Sequence, residues 1–196
     1  MELYDRQKTL NLSIPESLTI VGCGGVGYYV SKFAAMSGVK KLYLFDPDII
    51  EETNLNRLDL SMEDIGKNKA VIVRELIEKL RPDCYVYGIP FIFQEHLYFE
   101  SDYIIDCTDK HKTQIEIENI AKKLNTVYIK AGYDGNHITV ANSVKNVWSA
   151  SEEEGYTVTP SWVVPTVVVA AMTVAKIMLH NPGEISLNLV DIFNLI

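Results

Sequence analysis

Ile20-Val21-Gly22-Cys23-Gly24-Gly25-Val26-Gly27 ends a short apolar run in a glycine-rich turn and opens a helix, and Asp46 closes the next apolar run. That order outlines a nucleotide site. Gly22 permits the tight turn, Gly24 lets the backbone approach a phosphate, and Gly27 allows the helix to lie close to its strand, with Gly25 between them in the same cradle. The helix N-terminus adds unpaired N–H groups and a dipole that favours an anion, and Asp46 is placed to take ribose hydroxyls. Hydride-transfer and nucleotidyl-transfer enzymes share this fingerprint, so it points to a nucleotide and leaves the chemistry open.

Outward from the turn, strand and helix signals alternate. Leu18–Val21 reads as a first strand, followed by a helix from Gly25 to Ser37 that Gly38 stops. Lys41 to Asp46 is a second strand, and Ala70, Val73, Leu76, Ile77 and Leu80 give helical spacing from Lys67 to Leu80, where Pro82 ends it. Strand-like runs follow at Cys84–Tyr87, Tyr103–Asp106 and Val127–Ala131, the last two separated by an amphipathic helix from Thr113 to Leu124. The alternation predicts an α/β fold: a Rossmann-like, mostly parallel sheet with helices on both faces and ligands at the carboxyl ends of its strands. Beyond Gly132 the pattern changes to short strands at Ile138–Ala141 and Asn146–Trp148, an acidic loop at Glu152–Glu154, a buried helix from Thr166 to Leu179 and a strand from Ile185 to Asp191. This carboxyl-terminal third is expected to be an antiparallel extension of the same sheet.

The bulk numbers narrow the setting. A chain of 196 residues, 47% hydrophobic and 22% charged, is expected to form one domain around one core. Its net charge of -8 argues against general affinity for nucleic acid or an anionic membrane. Cys23, Cys84 and Cys107 form no C-x-x-C pair, which offers neither a disulfide framework nor a zinc site. The first residues lack the apolar core of a secretory signal, and Thr166–Leu179 falls short of the roughly 20 residues of a membrane span; both point to the cytoplasm.

After Asp46 the loop carries Asp48, Asn54, Asn56 and Arg57, and Lys67 and Lys69 open the next helix. An Arg and a Lys beside a glycine turn neutralise phosphate oxygens, the Arg through its planar fork and the Lys as a point charge. A dinucleotide enzyme satisfies its pyrophosphate with the helix N-terminus alone, whereas a triphosphate under attack needs cations to spread developing charge. Asp106-Cys107-Thr108-Asp109 ends the fourth strand with two carboxylates on the ligand side. They suit magnesium, with Asp109 as ligand and Asp106 in support; capping of the following helix is the alternative.

Taken together, Gly22-x-Gly24-Gly25-x-Gly27, Asp46-x-Asp48, Asn54-Leu55-Asn56-Arg57, Lys69 and Asp106-Cys107-Thr108-Asp109 resemble the ThiF/MoeB/HesA family, relatives of the adenylation domains of ubiquitin-activating enzymes. The resemblance runs from Tyr4-Asp5-Arg6-Gln7 to the apolar helix after Pro165. It implies an adenylyltransferase that binds ATP and Mg2+ and activates the C-terminal carboxylate of a ubiquitin-like or sulfur-carrier protein, or a peptide, as an acyl-adenylate with release of pyrophosphate. It also implies that Asp46 holds the ribose, that Asn54, Arg57 and Lys69 contact phosphates, and that Asp109 holds the metal. Arg6 matches an arginine that reaches into a neighbouring subunit's site, which implies a homodimer. The chain departs from the pattern in having no zinc cysteines, no cysteine after Cys107, Leu58 where Gln is usual and Lys110 where Asn is usual. Those departures motivate a rival reading as a non-catalytic partner with a degenerate adenylation fold; a NAD-dependent oxidoreductase rests on the glycine turn and Asp46 alone.

Overall fold

A computed structural model describes residues 2–144 and 160–192. The expected strand Asn146–Trp148 and acidic loop Glu152–Glu154 lie outside them. The first strand, β1 (Ser17–Val21), has all five residues buried. It sits inside the sheet between β2 (Lys41–Phe45) and β4 (Tyr103–Asp106), parallel to both. A strand covered on both faces and both edges has to be apolar throughout, which is why Leu18-Thr19-Ile20-Val21 shows no alternation. Thr19 is accommodated because its hydroxyl and that of Ser101 bond each other at 2.9 Å.

The sheet runs β3-β2-β1-β4-β5-β6-β7, with β3 (Tyr85–Ile89), β5 (Val127–Asp134), β6 (His137–Ala141) and β7 (Ile185–Asn188) completing it. The first five in sequence are parallel; β6 pairs antiparallel with β5, and β7 antiparallel with β6. Strand order reverses at β1, so the crevice above its carboxyl end is the place where an open α/β sheet takes a ligand. The helices α1 (Gly25–Met36), α2 (Lys69–Leu80) and α4 (Val163–Met178) share the larger core with one face. On the other face α3 (His111–Lys123) packs Ile117 and Ala121 against Ile104, Tyr128 and Phe45.

Of the boundaries that differ from the sequence expectation, three have clear local reasons. Helix α2 starts at Lys69 because the Asn68 side chain accepts the Val71 N–H at 3.1 Å and caps it. Helix α4 starts at Val163 and takes Pro165 into its first turn, where no backbone donor is needed. The last strand stops at Asn188 instead of reaching Asp191: the Asn188 side chain accepts the Val190 N–H at 3.0 Å and a short helix, α5 (Leu189–Ile192), follows. Among the described residues no helix is long and apolar enough to cross a membrane.

Candidate nucleotide site

The glycine turn leaves β1 at the switch point and is packed from three sides. Gly22 has φ +88°, and a Cβ there would lie 3.0 Å from the backbone of Cys107 at the end of β4. A Cβ on Gly27 would stand 1.8 Å from the Gly22 carbonyl oxygen, so the start of α1 lies against the turn more closely than any side chain allows. At Gly25 the space is filled by neighbours: a Cβ would meet Thr166 Cγ2 at 2.6 Å and Arg57 Cδ at 3.2 Å. Gly24 is the exception. It caps α1, and a Cβ there would meet nothing within 4 Å, which leaves the open side of the cradle at the helix N-terminus.

Asp46 follows β2 and is 5% exposed. Its Oδ2 accepts the Cys23 N–H at 2.6 Å and its Oδ1 the Asp48 N–H at 2.9 Å. Burial pushes its pKa up, opposed by those two N–H bonds and by the charge of Lys69. Each oxygen retains a second acceptor position for a hydroxyl. Asn68, which the sequence reading passed over, joins this strand end to α2 by donating to the carbonyls of Asp46 at 2.9 Å and Asp48 at 3.0 Å. An Asn just before an apolar helical run was the signal that could have found it. Lys69 is then delivered to the strand end, its ammonium 3.2 Å from the exposed Asp48 carboxylate.

The loop between β2 and α2 is held from within. The buried Asn54 accepts the Glu51 N–H at 3.1 Å, closing a short 3-10 turn, Glu52–Asn54. Arg57 Nη1 donates to the Thr53 carbonyl and to Asn56 Oδ1, both at 2.9 Å, while its stem lies against Gly25. Asn56 donates to the Ser161 carbonyl at 2.9 Å and so ties the loop to the start of α4. Leu58 faces away from the site into the core and is 6% exposed, so an apolar residue suits that position.

At the end of β4 the two carboxylates diverge. Asp106 is 0% exposed; its Oδ1 accepts both the N–H and the hydroxyl of Thr108 at 2.8 and 2.7 Å, its Oδ2 the Tyr128 hydroxyl at 2.7 Å, and the ammonium of Lys130 lies 3.6 Å from Oδ1. Asp106 is sealed from solvent among those partners, whereas Asp109 is exposed beside Lys110. Asp109 does not cap α3 either: Lys110 holds the cap position without a side-chain bond. Burial pushes the Cys107 thiol up to about 12, with Lys130 opposing and Asp106 adding, so it is a poor nucleophile.

Arg6 is the predicted residue the structure does not bring to this site. It is exposed in a 3-10 turn, Asp5–Leu10, that is anchored through Gln7 Nε2 to the Ser37 carbonyl at 2.8 Å. That anchor is the far end of α1, roughly 18 Å along the helix from the glycine turn.

With Arg57 and Lys69 at an open glycine turn, between two acidic strand ends, comparison with known proteins decides the family. The ThiF family profile matches residues 4–181. The chain belongs to the ThiF family. Among ThiF-family relatives, it is similar to the tRNA threonylcarbamoyladenosine dehydratase of Haemophilus influenzae, 36% identical over 120 residues that cover 57% of this chain and 46% of that one. It is also similar to a probable molybdopterin-synthase adenylyltransferase of Porphyra purpurea, 33% identical over 118 residues covering 58% and 31%. The chain spans less than half the length of either relative. In fold it resembles E. coli MccB solved with ATP, with a TM-score of 0.72 and 24% identity over 89% of this chain and 64% of that one.

Proposed function

We propose that this ThiF-family chain is an ATP-dependent adenylyltransferase that activates the C-terminal carboxylate of a ubiquitin-like or sulfur-carrier protein, or of a peptide. The observation that carries the reading is the delivery of two cations, Arg57 against Gly25 and Lys69 at Asp48, to a cradle left open at Gly24. A nucleophilic carboxylate and a triphosphate repel each other, and fixed positive charge at their meeting point is what such a reaction requires and a dinucleotide oxidoreductase does not.

In this reading the N–H groups at the start of α1 receive the phosphates, and Asp46 with Asp48 faces the ribose. Arg57 and Lys69 spread charge over the α-phosphate, and Asn54 holds the loop that presents Arg57. The carboxylate oxygen bonds to the α-phosphorus, the bond to the bridging oxygen of the β-phosphate breaks, and pyrophosphate leaves with that electron pair. The chemistry of the donors fits Mg2+. A lone exposed carboxylate, Asp109, is its usual protein share when substrate phosphates supply further oxygens, and among the described residues no three His, Cys, Asp or Glu side chains converge on a cage. Bound there, the ion would neutralise phosphate charge.

A homodimer would let Arg6 of one copy serve the other, since its own turn lies at the far end of α1. The charge of -8 opposes general attraction to nucleic acid, so protein or peptide is the favoured carboxylate source despite the tRNA-modifying relatives. Isotope exchange tests the reading: labelled pyrophosphate should enter ATP when a partner ending in a free carboxylate is present. Arg57→Ala should lower that exchange by at least about 100-fold at an unchanged melting temperature. Absence of exchange with every carboxylate partner, together with no Mg2+-ATP binding, would overturn it.

A further inference from the structure

Lys130 lies within β5, where its neighbours Ile129 and Ala131 belong to the core, and it is itself 7% exposed. A buried ammonium is costly unless it is paired and its donors are satisfied. Here Nζ donates to the Thr108 carbonyl at 2.5 Å and to the Asp106 carbonyl at 3.4 Å, and it faces the Asp106 carboxylate. Thr108 is consequently held at every polar atom. Its N–H and hydroxyl bond Asp106, and its carbonyl also accepts Gln114 Nε2 of α3 at 2.9 Å. The residue on one side, Cys107, abuts Gly22, and the residue on the other, Asp109, is exposed.

We propose that Lys130 is a positioning residue, a buried cation that fixes the Asp106–Thr108 segment so that Asp109 is presented beside the glycine turn at the height of the nucleotide phosphates. This rests on the reading of Asp109 as the Mg2+ carboxylate. Lys130 touches no nucleotide; it acts through Thr108. The other donors to Thr108 and Asp106 are neutral, so Lys130 also supplies the charge that balances Asp106.

Lys130→Met tests the assignment. Amide hydrogen exchange at Thr108 to Lys110 should accelerate about tenfold or more. The tightening of ATP binding by Mg2+, measured by calorimetry with and without chelator, should fall by about 10–100-fold while metal-free ATP binding stays within about twofold. Unchanged exchange together with full Mg2+ tightening would overturn the proposal. If Lys130→Met does not fold, the pair Lys130→Met with Asp106→Asn removes both charges and carries the same expectations. Asp109→Asn separates the two ideas. Loss of tightening in that variant alone overturns Lys130 positioning and spares the metal reading. If Asp109→Asn keeps full tightening, the metal reading falls and this proposal falls with it.

Discussion

Two strand ends flank the glycine turn, and both carry an inner acid and an outer one. Beside β1 on one side, Asp46 is buried and Asp48 is exposed; on the other, Asp106 is buried and Asp109 is exposed. The inner acids brace backbone and the outer acids face solvent, but they are braced differently. Asp46 is held by N–H groups of Cys23 and Asp48 and forms no ion pair among the described residues, whereas Asp106 is matched to a buried lysine and a tyrosine hydroxyl. The β2 end therefore couples directly to the glycine turn. The β4 end is a closed electrostatic unit that couples to it through the Cys107 backbone.

Breaking the inner acids should separate the two ends by size of effect. Asp106→Ala leaves Lys130 buried without its counter-charge and should cost about 3–5 kcal/mol in urea denaturation. Asp46→Ala leaves two N–H donors without partners but no stranded charge, and should cost about 1–3 kcal/mol. A loss at Asp46 equal to or above that at Asp106 would erase the distinction. The outer acids form the contrast. Asp48→Ala removes the exposed partner of the largely buried Lys69 and should cost about 1 kcal/mol, and Asp109→Ala should change stability by no more than about 0.5 kcal/mol. The thiols are read by labelling rate instead of by stability. Burial pushes Cys84 up to about 11 and Cys107 up to about 12, so iodoacetamide at pH 8 should label both at least about 100-fold more slowly in the native chain than after denaturation.

Legibility followed the range of the forces involved. The parallel strands were readable because burial on both faces demands unbroken apolar runs, and Gly22 and Gly27 because a positive φ and a 1.8 Å approach exclude any side chain. The role of Gly25 was not readable, since Thr166 and Arg57 reach it from distant parts of the chain. Asp106 and Asp109 looked alike in sequence; a lysine 24 residues from Asp106 sets them apart.

The sequence by itself determined the alternation of strands and helices, the glycine-rich turn at residues 22–27 and the cations on the loop that follows, because turn geometry, periodicity and residue type are local properties. Only the tertiary structure decided which acid at each strand end is sealed and which is offered. Burial and counter-charge depend on what neighbouring strands bring: Asp106 aligns with Val21 on one side and Lys130 on the other, a register that pairing across the sheet creates.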